Sequence, residues 1–125
     1  MNIQEALDMT DRMKPNMMLR DMKIRYLQEL DQKIYEEILL THEHTAAEEV
    51  LPVYDDDSDP GTELLAPDKY AMVYAYWLMS KVDLQNLEMD KFNNDRALYE
   101  HAYNELFDWW NRTKMPVSRN RQLWI

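Results

Sequence analysis

Gly61 is the only glycine in the 125-residue sequence. Phosphate-cradling loops and the nucleophile elbow of hydrolases each need two or more glycines at fixed spacing, where a Cβ would block the turn or the ligand. Enzymes of those classes are thereby excluded. Hairpin-linked sheets also place glycine at their tight turns, so a chain this poor in glycine suits long helices joined by few connections. Cysteine is absent, which removes disulfides, thiolate metal sites and cysteine nucleophiles. No apolar run reaches the ~18 residues of a membrane-spanning helix, so no membrane association is expected. The acidic opening MNIQEALDMTDRM lacks the basic start and apolar centre of a signal peptide, which fits synthesis in a cytoplasm.

Apolar spacing predicts where the helices lie. Ile3, Leu7 and Met13 mark a short helix to about residue 13, interrupted by KPN at 14–16, because proline biases its predecessor away from helix. A long helix is predicted over 17–42, with Ile24, Leu27, Leu30, Ile34, Ile38 and Leu39 recurring at three- and four-residue steps. Arg25, Glu29, Asp31, Lys33 and Glu36 are read as facing elsewhere. Helix resumes at PDKYAMVYAYWLMSKVD, with Tyr70, Val73, Tyr74, Trp77, Leu78 and Val82 as its buried stripe. The last helix spans about 88–112, with Phe92, Tyr99, Ala102, Tyr103, Leu106, Trp109 and Trp110 on one broad side, and Pro116 ends it. Residues 43–67 hold three of the five prolines, the glycine and the run DDDSD. A loop of that length in a compact domain is more often functional or disordered. The fold class predicted is all-α: a small bundle of about four helices, two of them long, over residues 1–116. A long acidic loop at 43–67 and an extended C-terminal arm at 117–125 leave the bundle.

Charge is unevenly spread along the chain. The net charge is −10, and between Ile34 and Asp68 there is no lysine or arginine but eleven of the 24 acids. From Asn111 to Ile125 the pattern reverses, with Arg112, Lys114, Arg119 and Arg121 and no acid. Such separation favours pairing between copies or with an acidic partner. The overall sign opposes tight binding to nucleic acid, and the third helix does not interleave its aromatics with bases.

No constellation of residues points to catalysis, a cofactor or a metal. Asp55, Asp57 and Asp59 occupy the first, third and fifth positions of a calcium loop, but Pro60 stands where the turn needs glycine and Ala66 where the bidentate glutamate belongs. His42 and His44 are two apart and cannot share a helix face as HExxH histidines do. Glu36 and Glu37 are adjacent, so they do not face each other as an acid pair. His101, beside Glu100 and Glu105, reads as a surface or partly buried histidine. Two apolar features stand out instead. Leu64 and Leu65, with Val53 and Tyr54, sit in the acidic loop as contacts for a neighbouring subunit or as pieces of the chain's own core. Leu123, Trp124 and Ile125 follow Arg119 and Arg121 at the end of the sequence. Tryptophan and arginine are enriched at binding hot spots, so these five residues are expected to dock on another molecule or fold back onto the bundle.

MKPN before the long helix, LQELD within it, ELLAPDKY opening the next helix, DKFNND opening the last and MP at its end resemble small head–tail connector (adaptor) proteins of tailed phages of Gram-positive bacteria. The resemblance runs from about Met13 to Pro116. It implies a non-enzymatic subunit of a virion neck, assembled in the host cytoplasm into a ring of about a dozen copies. That ring sits between the portal and the next neck or tail completion protein, extends the DNA channel and completes the head. It further implies that loop 43–67 interlocks neighbours, through Val53, Tyr54, Leu64 and Leu65, and that the arm 117–125 reaches the portal or an adjacent subunit. DNA would pass without specific binding, past acids lining the channel. The alternatives are a small acidic interaction module (an inhibitor or adaptor) and a metal-dependent hydrolase using His42, His44 and nearby acids.

Overall fold

The computed structural model describes residues 1–45, 48 and 50–115. Helix α1 (Ile3–Met13) starts where Asn2 closes a capping box: its side chain accepts from the Glu5 N–H at 2.8 Å, and its own N–H donates to Glu5 Oε1 at 3.1 Å. Two N–H groups at the helix start lie outside that box, those of Ile3 and Gln4. They donate to the carbonyls of Thr62 and Pro60, at 3.1 and 3.0 Å. The acidic loop therefore completes the cap that the helix lacks. Ile3, Ala6, Leu7 and Thr10 bury one face of α1, and the helix ends at Lys14, ahead of Pro15.

Helix α2 (Arg20–Ile34) carries the predicted stripe of Ile24, Leu27, Leu30 and Ile34. It does not continue as regular α-helix to residue 42. Its end widens into a π-helical turn over Tyr35–Leu39, which keeps Ile38 and Leu39 in the core. A short 3-10 turn over Asp68–Tyr70, set behind Pro67, leads into α3 (Met72–Gln85). Helix α3 is apolar on nearly every side and packs against α1, α2 and α4, so it is the centre of the bundle. Helix α4 (Met89–Thr113) lies along it and contributes Tyr99, Leu106 and Trp110 to the core.

The α3–α4 connection closes without glycine. Glu88 N–H donates to the Asp83 carbonyl and Leu87 N–H to the Leu84 carbonyl, the paired bonds of a Schellman cap, with Leu87 at φ 57° where glycine is usual. Among the described residues no strand forms; an isolated bridge joins Asn2 to Glu63. The molecule is thus a small all-α bundle of four helices, the class predicted from the sequence.

One charged knot ties the bundle's lower end. Lys14, just past α1, pairs with Asp83 at the end of α3 and with Asp95 of α4 at 2.8 Å. Burial lifts the Asp83 carboxyl to about 6, aided by the neighbouring Asp95. Asp95 goes the other way: burial raises it, but hydrogen bonds with Asp83 and Lys14 outweigh that and lower it. Removing the ammonium leaves two carboxyl groups facing each other, with one side chain fully buried. We expect Lys14→Met to lose roughly 3 kcal/mol in urea melts at pH 7. The deficit should shrink at pH 5, where one carboxyl protonates and the repulsion falls; an equal deficit at both pH values would contradict this account.

Candidate interaction surfaces

Asp31 lies on the buried side of α2 with no exposed surface. Its Oδ2 accepts from the Tyr54 hydroxyl at 2.9 Å and its Oδ1 from the Tyr74 hydroxyl at 2.6 Å, with the Leu65 N–H at 3.4 Å. The Ala66 N–H donates in turn to the Tyr74 oxygen at 2.8 Å. Among the described residues no cation joins the group. Burial lifts the Asp31 carboxyl to about 6, against the pull of hydrogen bonds from Tyr74, Tyr54 and Leu65 that favour its charged form. Burial, and then the charge of Asp31, push both phenols upward, so they remain donors. One turn earlier on α2, Gln28 donates to the Pro52 carbonyl at 2.9 Å and accepts from the Tyr54 N–H at 2.8 Å. Side chains of α2 thus hold both ends of the acidic loop.

This attachment corrects two readings of the sequence. Asp31 does not face away from the stripe: it stands seven residues after Ile24 and four after Leu27, in register with the buried face. That register was the signal available for it. Tyr54 and Leu64, read as contacts for a neighbouring subunit with the chain's own core as the alternative, are 5% and 6% exposed and sit in that core. The phenol of Tyr54 is drawn in by Asp31, and Leu64 by its N–H bond to the Met1 carbonyl and the apolar cluster behind it. They keep little surface to offer a neighbour. Leu65 is half-buried against the core, and Val53 is 82% exposed. Arg119, Arg121, Leu123, Trp124 and Ile125 lie outside the described residues.

Between Tyr54 and Leu64 the loop forms a compact acidic turn. The Asp55 N–H donates to Ser58 Oγ at 2.9 Å, the Asp57 N–H to Asp55 Oδ1 at 2.9 Å and the Ser58 N–H to the Asp55 carbonyl at 3.1 Å. Asp59 caps the Gly61 N–H at 2.8 Å, and Asp56 pairs with Arg20. Asp55, Asp56 and Asp57 border a shallow groove of about 300 Å³, floored by Ile24 and Tyr54 and closed by Asp21, Arg25 and Gln28. Among the described residues no three acids or histidines gather to hold a metal ion. His42 is buried instead, with Nδ1 at 2.6 Å from the Ile38 carbonyl and Nε2 at 2.6 Å from Asn111 Oδ1, and so joins the π-helical turn to the end of α4. His44 Nδ1 stands 2.6 Å from the His42 carbonyl. His101 is exposed and pairs with Glu105 at 2.9 Å.

A second surface gathers bases on aromatic rings, a grouping that no single helix reveals. Lys81 of α3 lies over Trp77 at 4.1 Å and over Tyr26 of α2 at 5.5 Å. Lys33 of α2 lies over Tyr103 of α4 at 4.8 Å and donates to the Tyr99 hydroxyl at 3.3 Å. Arg96 lies over Tyr99 at 5.7 Å and pairs with Glu100. The Trp77 ring is fixed by its N–H donating to the Tyr26 carbonyl at 2.8 Å. Burial lowers the Lys81 ammonium; Glu29 counters this, while Arg96 and Lys33 add to it. The helical reading of each segment finds Trp77, Tyr99 and Tyr103 but neither Tyr26 nor the grouping of the cations, which come from three different elements. The described helices include none long and apolar enough to cross a membrane.

Comparison with known proteins finds no matching family model, no similar characterised protein and no similar solved structure.

Two outcomes follow from this geometry. Leu64→Ala should cost about 2–4 kcal/mol in chemical denaturation, whereas Val53→Ala should change stability by less than about 0.5 kcal/mol. Similar losses at both positions would refute the division into core and surface. The second concerns Asp31, whose folded carboxyl titrates near 6 rather than at the ordinary 3.8. Between those values the folded chain holds a proton that the unfolded chain has released, so this contribution is full at low pH and lost as pH rises through 6. An asparagine in its place cannot titrate. Relative to wild type, Asp31→Asn should therefore gain stability from pH 4 to pH 7, by up to about 3 kcal/mol. A variant that loses ground over that range would show that the ionised carboxylate is preferred.

Proposed function

We propose that this chain is a structural subunit of a phage neck: a head–tail connector that acts through interfaces between copies and with the portal, without catalysis. The observation that carries this reading is the state of the over-long loop. Asp31 and Gln28 hold it against α2, and its carbonyls cap α1, so its acidic turn projects as a fixed shape. A loop serving only to join two helices needs no such attachment. A loop that interlocks neighbouring subunits, as the resemblance over Met13 to Pro116 implies, benefits from being ordered before it binds, because less entropy is then lost on assembly.

In this reading the subunits form a ring of about a dozen copies between the portal and the next neck or tail completion protein. Heterologous interfaces, in which one surface meets a different surface of the next copy, close into such rings. Val53 and the exposed edge of Leu65 are the loop's apolar contacts with the neighbour. The arm 117–125 docks through Arg119, Arg121, Leu123, Trp124 and Ile125 on the portal or the adjacent subunit. The site of action is the neck of the virion, with assembly in the host cytoplasm.

Deleting 117–125 tests the reading. The truncated chain should keep its helicity by circular dichroism and fail to enter particles or to co-purify with a portal ring. Normal incorporation of the truncated chain would overturn the role given to the arm.

A further inference from the structure

Neither Lys33 nor Lys81 is ion-paired among the described residues, although the chain has 24 acids to 14 bases. Both are held over aromatic rings, and with Arg96 they form one patch on a molecule of net charge −10. The acidic turn supplies the complement. Asp55 and Asp59 each use a carboxylate oxygen to hold the turn and Asp56 pairs with Arg20, but the Asp57 carboxylate has no partner among the described residues. We propose that the Lys33–Lys81–Arg96 face is the docking surface for the acidic turn of a second copy of this chain, with Asp57 at the centre of the contact.

The two surfaces cannot meet within one molecule. Asp21, Ile24 and Gln28 flank the turn on one side of α2. Tyr26 and Lys33, seven residues apart, lie on roughly the opposite side of the same helix at 100° per residue. Among the described residues, neither surface can be neutralised by the other within one copy. Both surfaces are preformed: hydrogen bonds within the turn fix its shape, and the Tyr26 carbonyl fixes the Trp77 platform. An ammonium on an aromatic face keeps its outer side free to receive a carboxylate.

A nucleic acid is the less suitable occupant. It calls for a basic track along successive phosphates, whereas three cations stand here among Glu29, Glu37 and Glu100. Tyr103 donates to Glu37 at 2.6 Å and Arg96 pairs with Glu100, so the patch is bounded by acids. Its size suits a short acidic turn. Repulsion between two net-negative copies is screened beyond about 10 Å at moderate salt, whereas contact pairs are screened less. The inference rests on the reading that copies assemble side by side, and it supplies the contact for that assembly. It also draws the acidic turn into the joint between copies and away from the channel wall.

Sedimentation of the full chain at low ionic strength tests it. Wild type should self-associate, and more weakly as salt rises. Lys33→Glu with Lys81→Glu in one chain, and Asp57→Lys in another, should each weaken association about tenfold or more. An equimolar mixture of the two variants should recover it, because every turn then meets a face of opposite charge; misfolded chains could not rescue one another. A wild type that stays monomeric up to its highest soluble concentration, variants that associate like wild type, or a mixture without recovery would each overturn the docking. So would binding of a labelled oligothymidylate that the lysine substitutions abolish while self-association is unchanged. Assembly that stops at a dimer, each copy's turn on the other's face, would support the docking and count against the ring.

Discussion

A buried carboxyl group met by neutral donors fixes how this chain folds. Asp31 would be costly in an apolar interior unless its oxygens were met by donors. The donors come from three places: a tyrosine at the loop's start, a main-chain N–H at its end, and a tyrosine on the central helix. Each must arrive for the others to be worth burying. The Tyr74 hydroxyl gives its hydrogen to Asp31 and takes one from the Ala66 N–H, so the three groups polarise one another in a single chain of bonds. Both ends of the loop are thereby anchored in the core through Tyr54, Leu64 and Ala66, and helix α1 inherits its cap from the loop's carbonyls. Disturbing Asp31 should be felt at the start of α1, which it does not touch.

Much of the bundle was legible because helices bury a repeating stripe, and that stripe needs no knowledge of its partner. Ile24, Leu27, Leu30 and Ile34 fall in register, and so do Val73, Tyr74, Leu78 and Val82. The loop was less legible. Its prolines, its glycine and its aspartates describe backbone and solvation, while the burial of Tyr54 and Leu64 depends on Asp31, 23 residues before one of them in the bonded pair. An aspartate among charged neighbours reads as solvated unless its register with the stripe is weighed more heavily than its type. The π-helical turn at Tyr35–Leu39 leaves no mark in the pattern, since apolar residues continue through it. The basic face escaped for a different reason. Its members are ordinary within α2, α3 and α4 taken singly, and only the packing of the three helices brings ammonium and ring together.

Those two surfaces depend on the same helix. One side of α2 binds the acidic loop and the other presents Lys33 beside Tyr26, so the separation between the surfaces is set by a rigid rod rather than by a linker. The order created by Asp31 thus reaches the surface. A mobile loop could fold across the bundle and satisfy the lysines of its own chain, but a loop held at Gln28 and Asp31 cannot. Charges that would otherwise cancel internally stay on opposite sides.

Aromatic rings do for these lysines what carboxylates do for Lys14 and Lys23. Lys23 pairs with Asp11 at 2.7 Å and Lys14 closes the knot at the bundle's end, and both are consumed by the fold. Lys33 and Lys81 are also held in place, but by the faces of Tyr103 and Trp77, which fix an ammonium without neutralising its charge. A cation held in this way loses little further side-chain freedom when an acid arrives, so more of the contact's Coulomb energy is available for binding. The same reasoning applies to the turn, whose hydrogen bonds leave the Asp57 carboxylate outside the network that orders it. Folding energy has fixed both partners of the proposed contact in position before they meet.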